Sequence, residues 1–234
     1  MTQEDVHFVD KSAESEVGSP ADSAVSVPTL SEPGLLVMDV DSTLIDEEVI
    51  DELGVVAGCG EEIAGVTARA MRGELDFCDA LLEGLPISVF DTVHDKLHFT
   101  KGALELIDTL HEHGWKIGVV SGGFHEVVDM LAAESHIDYW IANRLEVEDG
   151  HLTGKVLGEI VCKTVKLHAL QAWADRLGIP MSQTVAVGDG ANDIPMIQAA
   201  GLGLAFCAKP KTQLAADKAI NDRDLTHVLD YLRR

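Results

Sequence analysis

At 234 residues and 46% hydrophobic, the chain can bury a full core, and suits one α/β domain with an insertion or two small domains. A formal net charge of −23 argues against nucleic acid or an anionic membrane as partner. Cys59, Cys78, Cys162 and Cys207 form no C-x-x-C pair and no zinc spacing, so they read as free thiols in a reducing compartment.

Residues 1–33 are rich in Ser, Glu, Asp, Val and Pro without sustained periodicity, and are expected to form a disordered acidic leader. The amino terminus lacks an apolar signal core, and no stretch reaches the ~18 apolar residues of a spanning helix. The expected location is the cytoplasm. Leu35, Leu36, Val37 and Met38 then read as a short strand buried on both faces, which stops at Asp39-Val40-Asp41-Ser42-Thr43. Residues 46–97 look helical. Acids at Asp46, Glu47 and Glu48 open a first segment with Val49, Ile50 and Leu53 on one face, and Ser88 to Asp91 resembles a capping box for a helix running to about Leu97. An all-helical block between two βα units reads as an inserted cap.

The core resumes with an amphipathic helix from Ala103 to His113 and a buried strand from Trp115 to Val120. Ser121-Gly122-Gly123-Phe124 follows at once. A helix from about Glu126, an alternating hairpin over residues 139–157 that turns at Glu148-Asp149-Gly150-His151, and a helix carrying Lys166 come next. Gln183 to Val187 give a further buried strand, ending in Gly188-Asp189-Gly190-Ala191-Asn192-Asp193. A short helix from Ile194, a strand near residues 202–206 and a last helix from Leu225 close the chain, with Lys209-Pro210-Lys211 read as a surface loop. The expected fold is α/β, a doubly wound parallel sheet (Rossmann-like core) over residues 34–45 and 98–234, with the helical cap over 46–97.

Three apolar strands thus end in polar clusters: Asp39/Asp41/Ser42, Ser121/Gly122 and Asp189/Asn192/Asp193. Each alone is commonly a turn. In a doubly wound sheet, however, the carboxyl ends of the strands converge on one crevice. Asp39 and Asp189 offer the hard anionic oxygens that Mg²⁺ prefers. Ser121, the backbone near Gly122 and the Lys166 ammonium suit phosphoryl oxygens. The chemistry that fits is phosphoryl transfer, with Asp39 attacking phosphorus to form an aspartyl-phosphate and Asp41 as acid, then base.

At these residues the chain resembles the haloacid dehalogenase (HAD) superfamily of phosphatases, in its phosphoserine-hydrolysing branch, over about Leu35 to Leu232. Asp39-Val-Asp-Ser-Thr43, Ser121-Gly-Gly-Phe124, Lys166 and Gly188-Asp-Gly-Ala-Asn-Asp193 match its four motifs. Ala70-Met-Arg-Gly-Glu-Leu-Asp-Phe77, in the cap, and Ala142-Asn-Arg-Leu145 have the branch's wording. The resemblance implies Asp39 as nucleophile and Asp41 as proton donor. It implies Mg²⁺ held by Asp39, the Asp41 carbonyl and Asp189, with Asp193 in support. Ser121, Gly122 and Lys166 would bind phosphate, Asn192 would contact the substrate region, and Glu48 would receive the substrate ammonium. Met71 and Phe77 would cover the substrate, although from spacing alone they read as cap core. The implied partner is a small phosphate ester, phosphoserine, with release of L-serine as in serine biosynthesis, by a monomer or homodimer.

One departure stands out. The branch normally continues past Leu-Asp-Phe with an Arg-bearing stretch whose guanidinium meets the substrate carboxylate. Here Phe77-Cys-Asp-Ala-Leu-Leu-Glu-Gly84 passes directly to the turn, so the cap is expected to be shortened near residues 82–84, and no Arg lies between Arg72 and Arg144. Lys96 or Lys101 would be the stand-ins, though Lys is not the equal of a bidentate Arg. The loss predicts weaker phosphoserine binding with aryl-phosphate hydrolysis retained. It leaves open a phosphatase or phosphotransferase acting on another small ester, or a non-catalytic binding protein.

Overall fold

A computed structural model describes residues 27–58 and 82–234. A seven-stranded sheet forms the middle layer, in the order β4-β3-β2-β1-β5-β6-β7. Its strands are β1 (Leu35–Met38), β2 (Lys116–Phe124), β3 (Tyr139–Glu148), β4 (His151–Leu157), β5 (Thr184–Gly188), β6 (Leu202–Phe206) and β7 (Lys218–Ile220). All pair in parallel except β3 with β4, the hairpin, whose turn places Asp149 (φ 49°) and Gly150 (φ 78°) in the left-handed region. The sheet is therefore the doubly wound type that the alternation of strands and helices predicts.

β1 sits at the centre, between β2 and β5, and every one of its side chains is fully buried. Alternation explains why four consecutive apolar residues are needed there. Leu36 and Met38 enter the layer packed by α3 (Ala103–Glu112) and α4 (His125–Ser135), while Leu35 and Val37 enter the layer packed by α5 (Lys163–Leu177) and α6 (Ile194–Ala199). Each such side chain contributes roughly 1.5–3 kcal/mol on burial. On the second face Trp173 of α5 packs directly on β2 at Gly118, where a Cβ would stand 2.5 Å from the indole, so no larger residue fits there.

The chain leaves the core at Ile45 and returns at Phe99 through one antiparallel bridge. Asp46 donates its N–H to the His98 carbonyl at 2.9 Å, and Thr100 donates to that of Leu44 at 2.9 Å. Arg223, from near the carboxyl terminus, closes over this neck with its guanidinium on the Ser42, Ile45 and Asp46 carbonyls and the Asp46 carboxylate. Beyond the neck lie α1 (Val49–Ala57) and α2 (Val89–His94).

Several local expectations change. Ser88 is itself helical (φ −64°, ψ −6°) and makes no capping bond, so no capping box forms, and α2 stops at His94. Pro210 opens a short helix, α7 (Pro210–Ala215), rather than a loop, in keeping with the fit of proline to a first helical turn. The last helix is a 3₁₀ stretch, Leu225–Tyr231. Within the expected leader, residues 27–33 are tied to the other end of the chain. Leu30 donates to the Arg233 carbonyl, Arg233 to that of Pro28, and Thr29 to the Gln183 side chain. Composition alone cannot show such a pairing, because its partner lies some two hundred positions away. Residues 1–26 and 59–81 lie outside the described residues, so of the stretch from Phe77 to Gly84, where the shortening is expected, only residues 82–84 are described. No helix among the described residues is long and apolar enough to cross a membrane. Cys162 and Cys207 are free thiols.

Candidate active site

The three polar clusters meet at the carboxyl ends of the central strands. Asp39 follows β1 directly, its N–H still donating to the Val187 carbonyl of β5 at 3.0 Å. Past it the backbone coils through Val40–Leu44 and closes with an Ile45 N–H to Val40 carbonyl bond of 3.1 Å. This coil turns Asp41 back toward the sheet. One Asp41 oxygen accepts the N–H of Val49, the first residue of α1, at 2.9 Å, and the other accepts the Ser121 hydroxyl at 3.4 Å.

The strand read from Trp115 to Val120 runs further, and Ser121 to Phe124 form the end of β2. Phe124 pairs with Asn143 of β3 after a register shift, so the glycines are held extended by a neighbouring strand. The Ser121 hydroxyl accepts the Gly123 N–H at 2.8 Å. Buried Asn143 donates to the Gly122 carbonyl at 2.7 Å and accepts the Val161 N–H at 2.8 Å, joining this strand end to the segment that leads into α5.

Lys166, in the first turns of α5, is fully buried. Its ammonium lies 2.7 Å from Asp39 Oδ2 and 2.8 Å from Asp193 Oδ1. Asp193 is fully buried too, and its other oxygen accepts the Gly190 N–H at 2.9 Å. Gly188 permits that inward turn, since a Cβ there would meet the Asp193 carboxylate at 2.5 Å. Asp39, Asp189 and Asp193 each bring one carboxylate oxygen within 4.8 Å of the others. Asn192 occupies the same loop, half-buried. Glu48 is half-buried at the start of α1 and accepts the Ser42 hydroxyl at 2.7 Å. Met71 and Phe77 lie outside the described residues. Lys96 and Lys101 are occupied elsewhere, with Glu52 at 3.6 Å and Asp224 at 2.9 Å.

Sequence reasoning missed three contributors: Asn143, Ser42 as the partner of Glu48, and Arg223 over the neck. Asn143 stands in the Ala142–Leu145 stretch, whose residue types alone give it no role. Nothing local marks Arg223.

The electrostatics follow from crowding acids in a poorly solvated crevice. Burial, then repulsion from Asp193, pushes the Asp39 carboxyl well above the usual range, with Lys166 pulling the other way. Burial and then Glu48 raise Asp41 to about 7, and burial followed by Asp193 and Glu48 raises Asp189 to about 6. Burial opposes the charge on Lys166, but Asp193 and Asp39 outweigh it and hold the ammonium above its ordinary pKa. The crevice thus holds more negative charge than its lysine balances, and its hard oxygen donors fit a divalent cation.

A stability consequence follows. Carboxyls whose folded pKa is raised bind more protons folded than unfolded between about pH 4 and pH 7, so stability falls as pH rises through that window. In chelator the protein is expected to melt several degrees higher near pH 5.5 than near pH 8, and a divalent cation is expected to raise the melting temperature mainly at the higher pH. Calorimetric melting temperatures in chelator that are equal at the two pH values would contradict this.

The family model for haloacid dehalogenase-like hydrolases matches residues 36–198. A phosphoserine phosphatase of Streptococcus thermophilus is 59% identical over 85% of this chain and 95% of its own length. One from Lactococcus lactis is 55% identical with the same coverage. Among solved structures, a phospho-aspartyl intermediate analogue of phosphoserine phosphatase superposes with a TM-score of 0.80 at 42% identity, over 86% of this chain and 100% of that one. A substrate-bound phosphoserine phosphatase gives the same score and identity over 86% and 99%.

Proposed function

The chain belongs to the haloacid dehalogenase-like hydrolases, and from that premise we propose that it hydrolyses O-phospho-L-serine to L-serine and phosphate, a step of L-serine biosynthesis. The observation that carries the reading is the buried Asp39–Lys166–Asp193 cluster with Asp41 beside it, in a chain 59% identical to a phosphoserine phosphatase.

The ionised Asp39 carboxylate attacks phosphorus, and the bond from phosphorus to the serine oxygen breaks. Asp41 gives its proton to the departing alkoxide. Water then attacks the aspartyl-phosphate while Asp41 takes up its proton, and the phosphorus–oxygen bond to Asp39 breaks to release phosphate. A group with a pKa of about 7 suits both halves, because it gives and accepts a proton near neutral pH at little cost. The Val49 N–H keeps the Asp41 carboxylate aimed throughout. Lys166 works against the burial and the Asp193 charge that disfavour an ionised Asp39, and offers charge to the phosphoryl oxygens, joined by the Ser121 hydroxyl and the backbone at Gly122. Glu48 faces the substrate ammonium, and Asn192 the substrate region. The family resemblance would give Met71 and Phe77, which lie outside the described residues, the role of covering the ester. Asp39, the Asp41 carbonyl and Asp189, with Asp193 in support, would hold Mg²⁺, which neutralises repulsion between the nucleophile and the phosphate dianion.

The test is phosphate release from L-phosphoserine and from an aryl phosphate, with Mg²⁺ and with chelator. Mg²⁺-dependent turnover that favours phosphoserine is expected. Turnover of the aryl phosphate alone would reject the substrate, and no release from either would reject the enzyme reading.

A further inference from the structure

Ser42 adopts φ 54° and ψ 7°, left-handed backbone that glycine takes freely and a residue with a Cβ does not. Its main chain is gripped from two sides, the N–H donating to the Glu47 carbonyl at 3.1 Å and the carbonyl accepting from Arg223 at 3.4 Å. Those bonds are main-chain bonds that glycine would make equally well. What serine adds is the hydroxyl, which donates to Glu48 Oε1 at 2.7 Å.

Glu48 occupies the residue before α1, where a side chain commonly caps the helix, yet it makes no capping bond. The Val49 N–H goes to Asp41 instead. The Glu48 charge is nevertheless felt in the crevice, where it favours protonation of both Asp41 and Asp189. A fixed negative charge beside a crowd of carboxylates is unfavourable unless what binds there is positive at that point. A long carboxylate side chain also has rotamer freedom to lose, and a hydroxyl on one oxygen removes that freedom before substrate arrives.

We infer that Ser42 is a positioning residue: its hydroxyl fixes the Glu48 carboxylate toward the substrate ammonium and so sets the preference for amino-bearing phosphate esters. The inference rests on the reading that Glu48 meets that ammonium. The strained backbone is retained because glycine, which fits the turn better, would release Glu48.

Steady-state kinetics with Mg²⁺ on L-phosphoserine and p-nitrophenyl phosphate test this in the full chain, comparing Ser42→Ala, Ser42→Gly, Glu48→Gln and Ser42→Ala/Glu48→Gln. Both Ser42 variants are expected to raise KM for phosphoserine about tenfold and to lower the ratio of kcat/KM for phosphoserine over the aryl ester by a similar factor. Once Glu48 is glutamine, removing the hydroxyl is expected to change that ratio by less than about twofold. Equal losses on both substrates would mark Ser42 as structural only and overturn the inference, as would an unchanged ratio. Ser42→Gly guards against misfolding, since it relieves the backbone. If Glu48→Gln itself leaves the ratio unchanged, the ammonium reading of Glu48 falls and the inference with it. If Glu48→Gln lowers the ratio while the Ser42 variants do not, the inference alone falls.

Discussion

Asp39→Asn is expected to abolish phosphate release from phosphoserine, lowering kcat by at least about 10⁴-fold, while leaving the protein no less stable than its parent. The activity is lost because an amide cannot form the aspartyl-phosphate. Stability is kept for a separate reason. Asp39 is almost entirely buried, and burial together with Asp193 works against its charge. Asparagine has nearly the same shape and leaves Lys166 paired with Asp193 at 2.8 Å; its single amide oxygen replaces only one of the two acceptors that now meet the Val40 N–H at 2.8 Å and Lys166 at 2.7 Å, a loss that removal of the buried charge offsets. Phosphate-release kinetics and a melting curve in chelator check the two halves together. Activity within about tenfold of the parent would remove Asp39 from the chemistry. A marked drop in melting temperature would show that the carboxylate stabilises the fold after all.

Lys166→Met is expected to damage both properties. Methionine fills the space of the lysine stem but brings no charge, so Asp39 and Asp193 are left buried without the ammonium now 2.7 and 2.8 Å away. Breaking a buried ion pair by removing one partner typically costs about 3–5 kcal/mol. In a domain of this size that is a fall in melting temperature of roughly 6–20 °C. The loss should shrink as pH is lowered, because the orphaned carboxyls protonate, and kcat should fall by about 10² or more through lost charge stabilisation. Melting temperatures of parent and variant across pH, in chelator, decide the matter. A variant that melts with its parent near pH 8 would show that the lysine charge carries no stability.

The nucleophile end of the site was legible because its chemistry contradicts its surroundings. Asp39 and Asp41 interrupt an apolar run that packing alone would have continued, and Asp189 and Asp193 do the same after β5. Pairings were not legible. Lys166 looks like any helical lysine until α5 carries it beneath Asp39 and Asp193. That β2 runs on through Ser121 to Phe124 was not legible either, because the partner at its end, Asn143, belongs to another strand. Ser88 looks like a cap by residue type, but its backbone is already helical and leaves no capping geometry. The docking of residues 27–33 depends on Gln183 and Arg233, beyond the reach of any local pattern. In each case the sequence shows which group is present, and the tertiary fold decides what it faces.

The narrow neck at Ile45 and Phe99 bears on how such a protein can change over time. The core itself clasps the two ends of the intervening segment, so the entropy of closing that excursion depends only logarithmically on its length. Adding or deleting about six residues in a loop of some fifty alters the closure term by only about 0.1 kcal/mol. That term is therefore nearly blind to length, and what the core does feel is the packing of Val49, Leu53, Val89, Phe90 and Val93, which are buried in it, and the bonds from residues 84–87 to the β3–β4 hairpin. Substrate preference can drift, or be grafted from a relative, by exchanging that one segment, while the carboxylates that perform the chemistry stay under separate selection.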